Sequence, residues 1–225
     1  AILIRLIIVA SYLTPKVSWG LLDRFIVLAE IENLEPIIIL NKKDLLDSSP
    51  DLLFKKICDK YFKIYNSLGI KVIPFVALNK DKISTQSLAD LSNIFSENIS
   101  LIVGHSGVGK SSIVNLLNPE IDQEVEQVDI IKKGRHTTSY SSFIKVRGDG
   151  FIVDTPGVRS LALNKIEPAL LAWAFKEMRP YIEKCRYRSC QHNKEPDCAV
   201  RSAVDNNSIS KERYISYLGL LNEQR

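Results

Sequence analysis

The stretch that decides the fold is "GHSGVGKS", residues 104–111, which fits the pattern G-x-x-x-x-G-K-[ST]. It follows an apolar run, "ISLIV", and opens a segment with helical spacing, as a strand–loop–helix phosphate-binding unit requires. Glycines in such a loop let backbone N–H groups point at phosphate oxygens, while Lys110 reaches the β- and γ-phosphates and the Ser111 hydroxyl binds Mg²⁺. The predicted phosphate contacts are Gly104, His105, Ser106, Gly107, Val108, Gly109, Lys110, Ser111 and Ser112.

Apolar runs alternate with helical patterns on both sides of this loop. Strands are predicted at residues 3–10, 36–40, 70–77 and 99–104, and helices at 19–33, 51–68 and 86–95. A hairpin is predicted from "YSSFIKV" to "FIVDTPG", after a long polar loop at 119–139. We therefore expect an α/β fold, a doubly wound and mostly parallel sheet within residues 1–164, followed by a small, mainly helical domain at 165–225.

The composition is that of an ordinary globular chain. Its 225 residues are 45% hydrophobic and 25% charged, enough to bury a sizeable core. The net charge of +4 is compatible with an RNA partner but too small to establish one. No apolar run reaches the roughly 18 residues of a membrane helix, so a cytosolic protein is expected. Met178 is the only methionine, and we expect the chain to begin inside a longer protein.

A second motif, "DTPG" at residues 154–157, ends a predicted strand. Asp154 is positioned to hold Mg²⁺ through water, and the Gly157 N–H can sense the γ-phosphate. Taken alone the motif is also compatible with a turn after an edge strand. The phosphate loop in the same chain favours the first interpretation.

A third motif, "NKKD" at residues 41–44, would read the base. The Asp44 carboxylate can accept from the two donors on the N1/N2 edge of guanine, which adenine lacks. Asn41 can bond the opposite edge, and the Lys42 stem can pack over the ring. The alternative is a lysine-rich turn. Further on, "FVALN" can place the Ala77 N–H near guanine O6, although a plain strand end is equally consistent with it.

The segment "GRHTTS", residues 134–139, can supply Thr138, preferred over Thr137, to Mg²⁺ when GTP is bound. Ras-type GTPases carry a water-orienting glutamine directly after the DxxG motif, but Val158 occupies that position here. His136 is the best candidate within the chain to orient the attacking water. The alternative is that His136 contacts RNA or packs locally.

The order of these motifs is unusual. The base tetrad and the alanine strand come first, then the phosphate loop, the switch threonine and DTPG. This is the usual GTPase order rotated, a circular permutation. A doubly wound sheet tolerates it, because its ligand site collects loops from the carboxyl ends of several strands.

The C-terminal part contains "CRYRSCQHNKEPDC", a C-x4-C-x-H-x5-C pattern. Thiolates and one imidazole suit tetrahedral Zn²⁺, and a closed set of four ligands indicates a structural site. The predicted ligands are Cys185, Cys190, His192 and Cys198. The remaining cysteine, Cys58, is expected to be a buried, inert thiol. Basic residues gather at 132–135 and 184–188, where Tyr187 can stack on an RNA base, although solvated surface charges are an equal alternative.

Together these motifs resemble the ribosome small-subunit-dependent GTPase A family of bacteria. The matching stretches include "LLDRFIVLAEIENLEPIIILNKKDLL", "GHSGVGKSSIVNLL", "GRHTTS", "DTPGVRS" and "CRYRSCQHNKEPDCAV", and they span nearly the whole chain. Members normally carry an N-terminal OB-type barrel; the residues given do not include one, as expected if the chain begins inside a longer protein. Members also normally carry a serine before the alanine, where this sequence reads "FVAL".

The resemblance implies a late-acting assembly factor that binds the small ribosomal subunit and its rRNA and hydrolyses GTP when stimulated by it. GTP or GDP, Mg²⁺ and one structural Zn²⁺ are the implied ligands. We further expect a monomer in the cytoplasm with no membrane partner. Two other functions remain open at this point: a nucleotide-switched rRNA-binding module with negligible turnover, and a permuted GTPase acting on the large subunit.

Overall fold

A six-stranded sheet forms the centre of the computed structural model, which describes residues 4–77, 83–118, 142–146, 148–154 and 166–224. Its strands are β1 (Ile4–Ser11), β2 (Glu35–Asn41), β3 (Lys71–Pro74), β4 (Ile99–Val103), β5 (Ser142–Val146) and β6 (Gly150–Asp154). They lie in the order β3-β2-β1-β4-β6-β5, and every neighbouring pair is parallel except the β5–β6 hairpin. The predicted mostly parallel sheet and its hairpin are confirmed.

Helices connect and cover these strands. The first five are α1 (Trp19–Ile31), α2 (Lys43–Ser48), α3 (Leu52–Ser67), α4 (Thr85–Phe95) and α5 (Lys110–Leu117). The C-terminal part contributes α6 (Pro168–Ala174), a 3₁₀ turn (Lys176–Met178), α7 (Arg179–Ile182), α8 (Ala199–Asp205) and α9 (Lys211–Glu223).

Among the described residues, two predicted elements end more than one residue away from their observed ends, and one short helix was not predicted. The helix predicted to reach residue 33 ends at Ile31, because Asn33 adopts a left-handed conformation with φ 53°. The strand predicted over residues 70–77 is only Lys71–Pro74. The Phe75 N–H still donates to the Leu40 carbonyl at 2.8 Å, but the Ala77 N–H then turns to the Asn41 side chain instead of the neighbouring backbone. The short helix α2 after the "NKKD" motif was not predicted.

Both faces of the sheet are buried. Successive strand residues point to opposite faces, so Leu6 and Ile8 of β1 face α1 and α3, whereas Ile7 and Val9 face α4 and α5. All four side chains are at most 1% exposed. Two-sided burial explains why these strands read as continuous apolar runs.

A third core joins α1 to the C-terminal helices. Val27 and Leu28, on the side of α1 that faces away from the sheet, pack with Leu171, Phe175 and residues of α8 and α9. Helix α1 is therefore covered on both sides. The predicted domain boundary near residue 164 lies outside the described residues. No helix among those described is both long and apolar enough to span a bilayer.

Candidate nucleotide site and metal centre

The motif residues collect at the carboxyl ends of the strands. Strand β1 pairs with β2 on one side and with β4 on the other. The chain passes from β1 to β2 and β3, then crosses back to β4 and continues in the opposite direction across the sheet. This is a topological switch point, where open α/β sheets form their ligand crevices. The "NKKD" motif follows β2, and the phosphate loop follows β4.

The phosphate loop depends on two glycines. A Cβ on Gly104, whose φ is 146°, would lie 2.0 Å from the Val9 carbonyl oxygen. A Cβ on Gly109, whose φ is 100°, would lie 2.2 Å from Asn41 Nδ2. Only glycine permits these approaches to the neighbouring strands. The loop is thus seated tightly on β1 and on the base motif.

Most side chains of the phosphate loop are exposed, and its lysine is bonded to the backbone of the loop. Lys110 Nζ donates to the carbonyl oxygens of Gly104 (2.9 Å) and His105 (2.7 Å). Val108 is buried, whereas His105, Ser106, Gly107, Ser111 and Ser112 are exposed. The start of α5 then adds the positive end of a helix dipole, which suits an anion.

Asn41 joins three of the predicted motifs. It is 1% exposed, and its Nδ2 donates to the Val108 carbonyl at 2.9 Å. Its Oδ1 accepts from the backbone N–H groups of Lys42 and Ala77, both at 2.8 Å. The base tetrad, the alanine strand and the phosphate loop therefore meet at one amide side chain.

The two other predicted base readers, Lys42 and Asp44, follow Asn41 in the chain. Lys42 has a left-handed backbone (φ 61°), and its Nζ donates to the carbonyls of Thr14 and Gly107, the latter at 2.8 Å. Asp44 lies in the first turn of α2, where its Oδ1 is buried without a hydrogen-bond partner among the described residues. A buried, unsatisfied carboxylate oxygen costs free energy unless a donor reaches it, so Asp44 suits a ligand with N–H groups.

The other predicted nucleotide and magnesium residues are only partly described. Asp154 ends β6, which is paired in parallel with β4, so its backbone lies at the same sheet edge as the phosphate loop. Several predicted residues lie outside the described ranges: Lys132, Lys133, Arg135, His136, Thr137, Thr138, Gly157 and Val158.

The four predicted zinc ligands converge. Their ligand atoms all lie within 4.8 Å of one another. Cys185 Sγ is 3.9 Å from Cys198 Sγ, and His192 Nδ1 is 3.4 and 3.5 Å from these two sulfurs. Ordinary Zn–S and Zn–N bond lengths in a tetrahedron would place two sulfurs about 3.8 Å apart, and sulfur and nitrogen about 3.6 Å apart. The donor set and its spacing fit Zn²⁺.

Supporting contacts hold this cluster in shape. Tyr214 and Tyr217 of α9 donate their hydroxyls to the carbonyls of His192 and Gln191, each at 2.7 Å. Burial lowers the pKa of His192, which keeps the imidazole in the neutral, metal-binding form. The sequence did not reveal these tyrosines, because only the fold brings α9 against the cysteine segment.

Glu195 organises the turn between the second and third cysteines. Its carboxylate accepts from the backbone N–H groups of Gln191 (2.9 Å), Asn193 (2.9 Å) and Lys194 (3.1 Å). Burial alone would raise the pKa of Glu195, but these backbone donors lower it on balance. A glutamate between two predicted ligands was a signal that sequence reasoning missed.

The basic residues near the metal cluster are partly paired. Arg186 bonds Asp197 at 2.7 Å and lies over the ring of Tyr187, 5.6 Å from its centroid. Tyr187 is 42% exposed. An exposed ring next to cations is compatible with base stacking as well as with a solvated surface.

Comparison with known proteins decides the family. The family model described as "RsgA GTPase" matches residues 2–164. The chain belongs to the RsgA GTPase family. The "Small ribosomal subunit biogenesis GTPase RsgA 1" of Vibrio parahaemolyticus is 37% identical over 220 residues, covering 96% of this chain and 59% of the relative. The corresponding "RsgA 2" of Oceanobacillus iheyensis is 38% identical over 218 residues, covering 96% of this chain and 71% of the relative.

Two solved structures share the fold. A crystal structure of YjeQ from Thermotoga maritima matches with a TM-score of 0.79 and 32% identity, covering 99% of this chain and 71% of that one. YloQ, described as a circularly permuted GTPase, matches with a TM-score of 0.75 and 30% identity, covering 98% and 68%. The permuted GTPase fold predicted from the motif order is confirmed. The chain spans about three fifths of the length of the Vibrio relatives.

Proposed function

We propose that this protein is a Mg²⁺-dependent GTP hydrolase. The junction at Asn41 is the observation that carries the proposal. It ties the base motif to the phosphate loop through Val108 and to the alanine strand through Ala77. A nucleotide spanning this junction would have its base beside Asp44 and its phosphates on the loop. The Oδ1 of Asp44, buried and without a partner among the described residues, favours guanine, which offers two donors to one carboxylate.

The phosphates and metal are assigned to the loop and its neighbours. Backbone N–H groups of the loop would bind the phosphate oxygens, and Lys110 would leave its carbonyl partners to reach the β- and γ-phosphates. Ser111 would ligate Mg²⁺, with Asp154 acting through water and Thr138 completing the set. The Gly157 N–H would sense the γ-phosphate. Mg²⁺ supplies neutralising charge to the phosphates during transfer.

The partner is the small ribosomal subunit. Relatives of this chain carry the name small ribosomal subunit biogenesis GTPase. We assign to this protein a role as a late maturation checkpoint in the cytoplasm, acting as a monomer on the subunit and its rRNA. The Cys185, Cys190, His192 and Cys198 cluster would hold one structural Zn²⁺, with no open position for catalysis.

The rate of GTP hydrolysis would depend on binding to the small subunit. With Val158 in the position of the usual water-orienting glutamine, the free protein should turn over slowly. Docking of the polar loop at residues 119–139 on the subunit would bring His136 to the attacking water.

The test measures phosphate release from GTP by the protein alone and with purified small or large subunits. Small subunits should stimulate turnover by roughly tenfold or more, as when a partner completes a GTPase site, and large subunits should not. His136→Ala should lose the stimulation while keeping GTP affinity and subunit binding, and Lys110→Ala supplies the inactive blank. Equal stimulation by large subunits would contradict the partner. Full stimulated turnover in His136→Ala would assign water positioning to another group.

A further inference from the structure

The loop between β1 and α1, residues 12–18, forms a wall of the proposed base site. Strand β1 ends at Ser11, which is opposite Asn41 in the ladder with β2. The Tyr12 N–H donates to the Asn41 carbonyl at 3.1 Å, and the Val17 N–H donates to the Tyr12 carbonyl at 3.3 Å. The backbone of this loop is therefore tied directly to the base motif.

The buried side chain of Ser11 forms a hydrogen bond that fixes the conformation of this loop. Its side chain is 1% exposed, and its Oγ donates to the Pro15 carbonyl at 2.6 Å. This bond closes the turn that contains Thr14. A buried hydroxyl that fixes a loop carbonyl restricts the conformations that the turn can adopt.

The turn meets both the base motif and the phosphate loop. The Thr14 carbonyl accepts from Lys42 Nζ, which also donates to Gly107 at 2.8 Å. The Pro15 ring lies beside Gly107, with Cδ 3.8 Å from the place a Cβ would occupy. Lys42 is thus held by two carbonyls, one from each loop, which keeps its side chain extended along the site.

We propose that Ser11 is a positioning residue for Lys42. By holding Pro15, it keeps the Thr14 carbonyl in place to receive the Lys42 ammonium, so that the lysine stem is already set to cover the base. The inference rests on the proposed function, because it assumes that a guanine nucleotide binds here. Among the described residues, no hydrogen bond joins Ser11 to Asp44, the proposed base selector. Its loss should therefore shorten the lifetime of the complex without altering the choice of base.

The experiment follows dissociation of GDP carrying a fluorescent N-methylanthraniloyl group. Ser11→Ala should release it about five to ten times faster than wild type, the effect of losing one hydrogen bond that orders a contact. Preference for guanosine over xanthosine nucleotide should not change. Ser18→Ala is the matched control, because Ser18 lies in the same loop, is exposed and makes no side-chain capping bond to α1. Its release rate should equal that of wild type.

A double-mutant cycle separates positioning from general stabilisation. On a Lys42→Ala background, Ser11→Ala should add less than about a twofold acceleration, because the group it positions is gone. The same five- to tenfold factor in both backgrounds, or no effect of Ser11→Ala alone, would overturn the inference. If Ser11→Ala does not fold, Ser11→Cys, with a thiol that donates weakly, replaces it in the cycle. If wild type does not bind GDP, the proposed function is wrong, and the inference about Ser11, which rests on it, is wrong as well.

Discussion

At the scale of single residues, the proposed choice of guanine depends on the side chain of Asp44. The tetrapeptide motif predicted its role, and the structure adds that its Oδ1 is buried without a partner among the described residues. Asn41 was predicted only as a base contact. Its bonds to Val108 and Ala77 could not be predicted, because they depend on which strands lie next to each other.

Asp44→Asn should exchange guanosine for xanthosine nucleotide. The amide offers a donor where the carboxylate offered an acceptor, and xanthine presents an acceptor where guanine has a donor. GTP affinity should fall about a hundredfold, because one hydrogen bond is lost and two donors are brought face to face, together about 2.8 kcal/mol, while xanthosine triphosphate affinity rises. Titration calorimetry with both nucleotides measures the change. A variant that binds GTP like wild type would exclude Asp44 as the base reader.

At the scale of elements, the metal centre consists of four ligands from one short stretch of the chain and of supporting residues from a later helix. The ligand set was predictable, because four ligands within one short stretch form a recognisable pattern. Its supports were not, since Tyr214 and Tyr217 come from α9 and lie 22 and 26 residues after the carbonyls that they bind. The α2 helix was missed for a related reason. Its six residues are too few to show helical periodicity.

Zinc content should distinguish the four predicted metal ligands from Cys58, which we expect not to bind metal. Cys190→Ser removes one thiolate, so the metal should be lost or held weakly, and the segment between α7 and α8 should loosen. Cys58→Ala is the matched control. That thiol is 1% exposed within α3, and burial raises its pKa to about 11, as expected of an inert core cysteine.

Elemental analysis of protein purified without chelator measures the difference. We expect about one equivalent of zinc in wild type and in Cys58→Ala, and less than half an equivalent in Cys190→Ser. Less than half an equivalent in wild type would contradict a structural zinc site.

For the whole molecule, a buried charge network connects the sheet layer to the C-terminal helices. Arg213 of α9 is 1% exposed and bonds Asp23 of α1 at 2.7 Å and Glu177 at 2.6 Å. Asp23, fully buried, also accepts from Tyr65 of α3 and Ser216 of α9. These contacts join residues up to 193 positions apart in the chain, so the pairing itself is visible only in the fold. An aspartate within the apolar pattern of α1 was the only available signal.

Breaking this network should destabilise the fold far more than breaking a surface pair. Arg213→Met leaves two buried carboxylates without their cation, which costs about 3–5 kcal/mol. Lys60→Ala removes the more exposed pair between Lys60 of α3 and Glu212 of α9, and should cost at most about 1 kcal/mol. Adding Asp23→Asn and Glu177→Gln to Arg213→Met removes the stranded charges and should recover much of the loss.

Urea unfolding followed by tryptophan fluorescence tests this, since Trp19 begins α1 and Trp173 lies in α6. Because Val27 and Leu28 share a core with the C-terminal helices, both tryptophans should report one transition in wild type. Variants carrying only Trp19 or only Trp173 separate the two signals. In the Arg213→Met background the Trp173 transition should move to lower urea than that of Trp19, as the helices leave α1 first. If Arg213→Met costs no more than Lys60→Ala, the apolar core alone holds the two layers together.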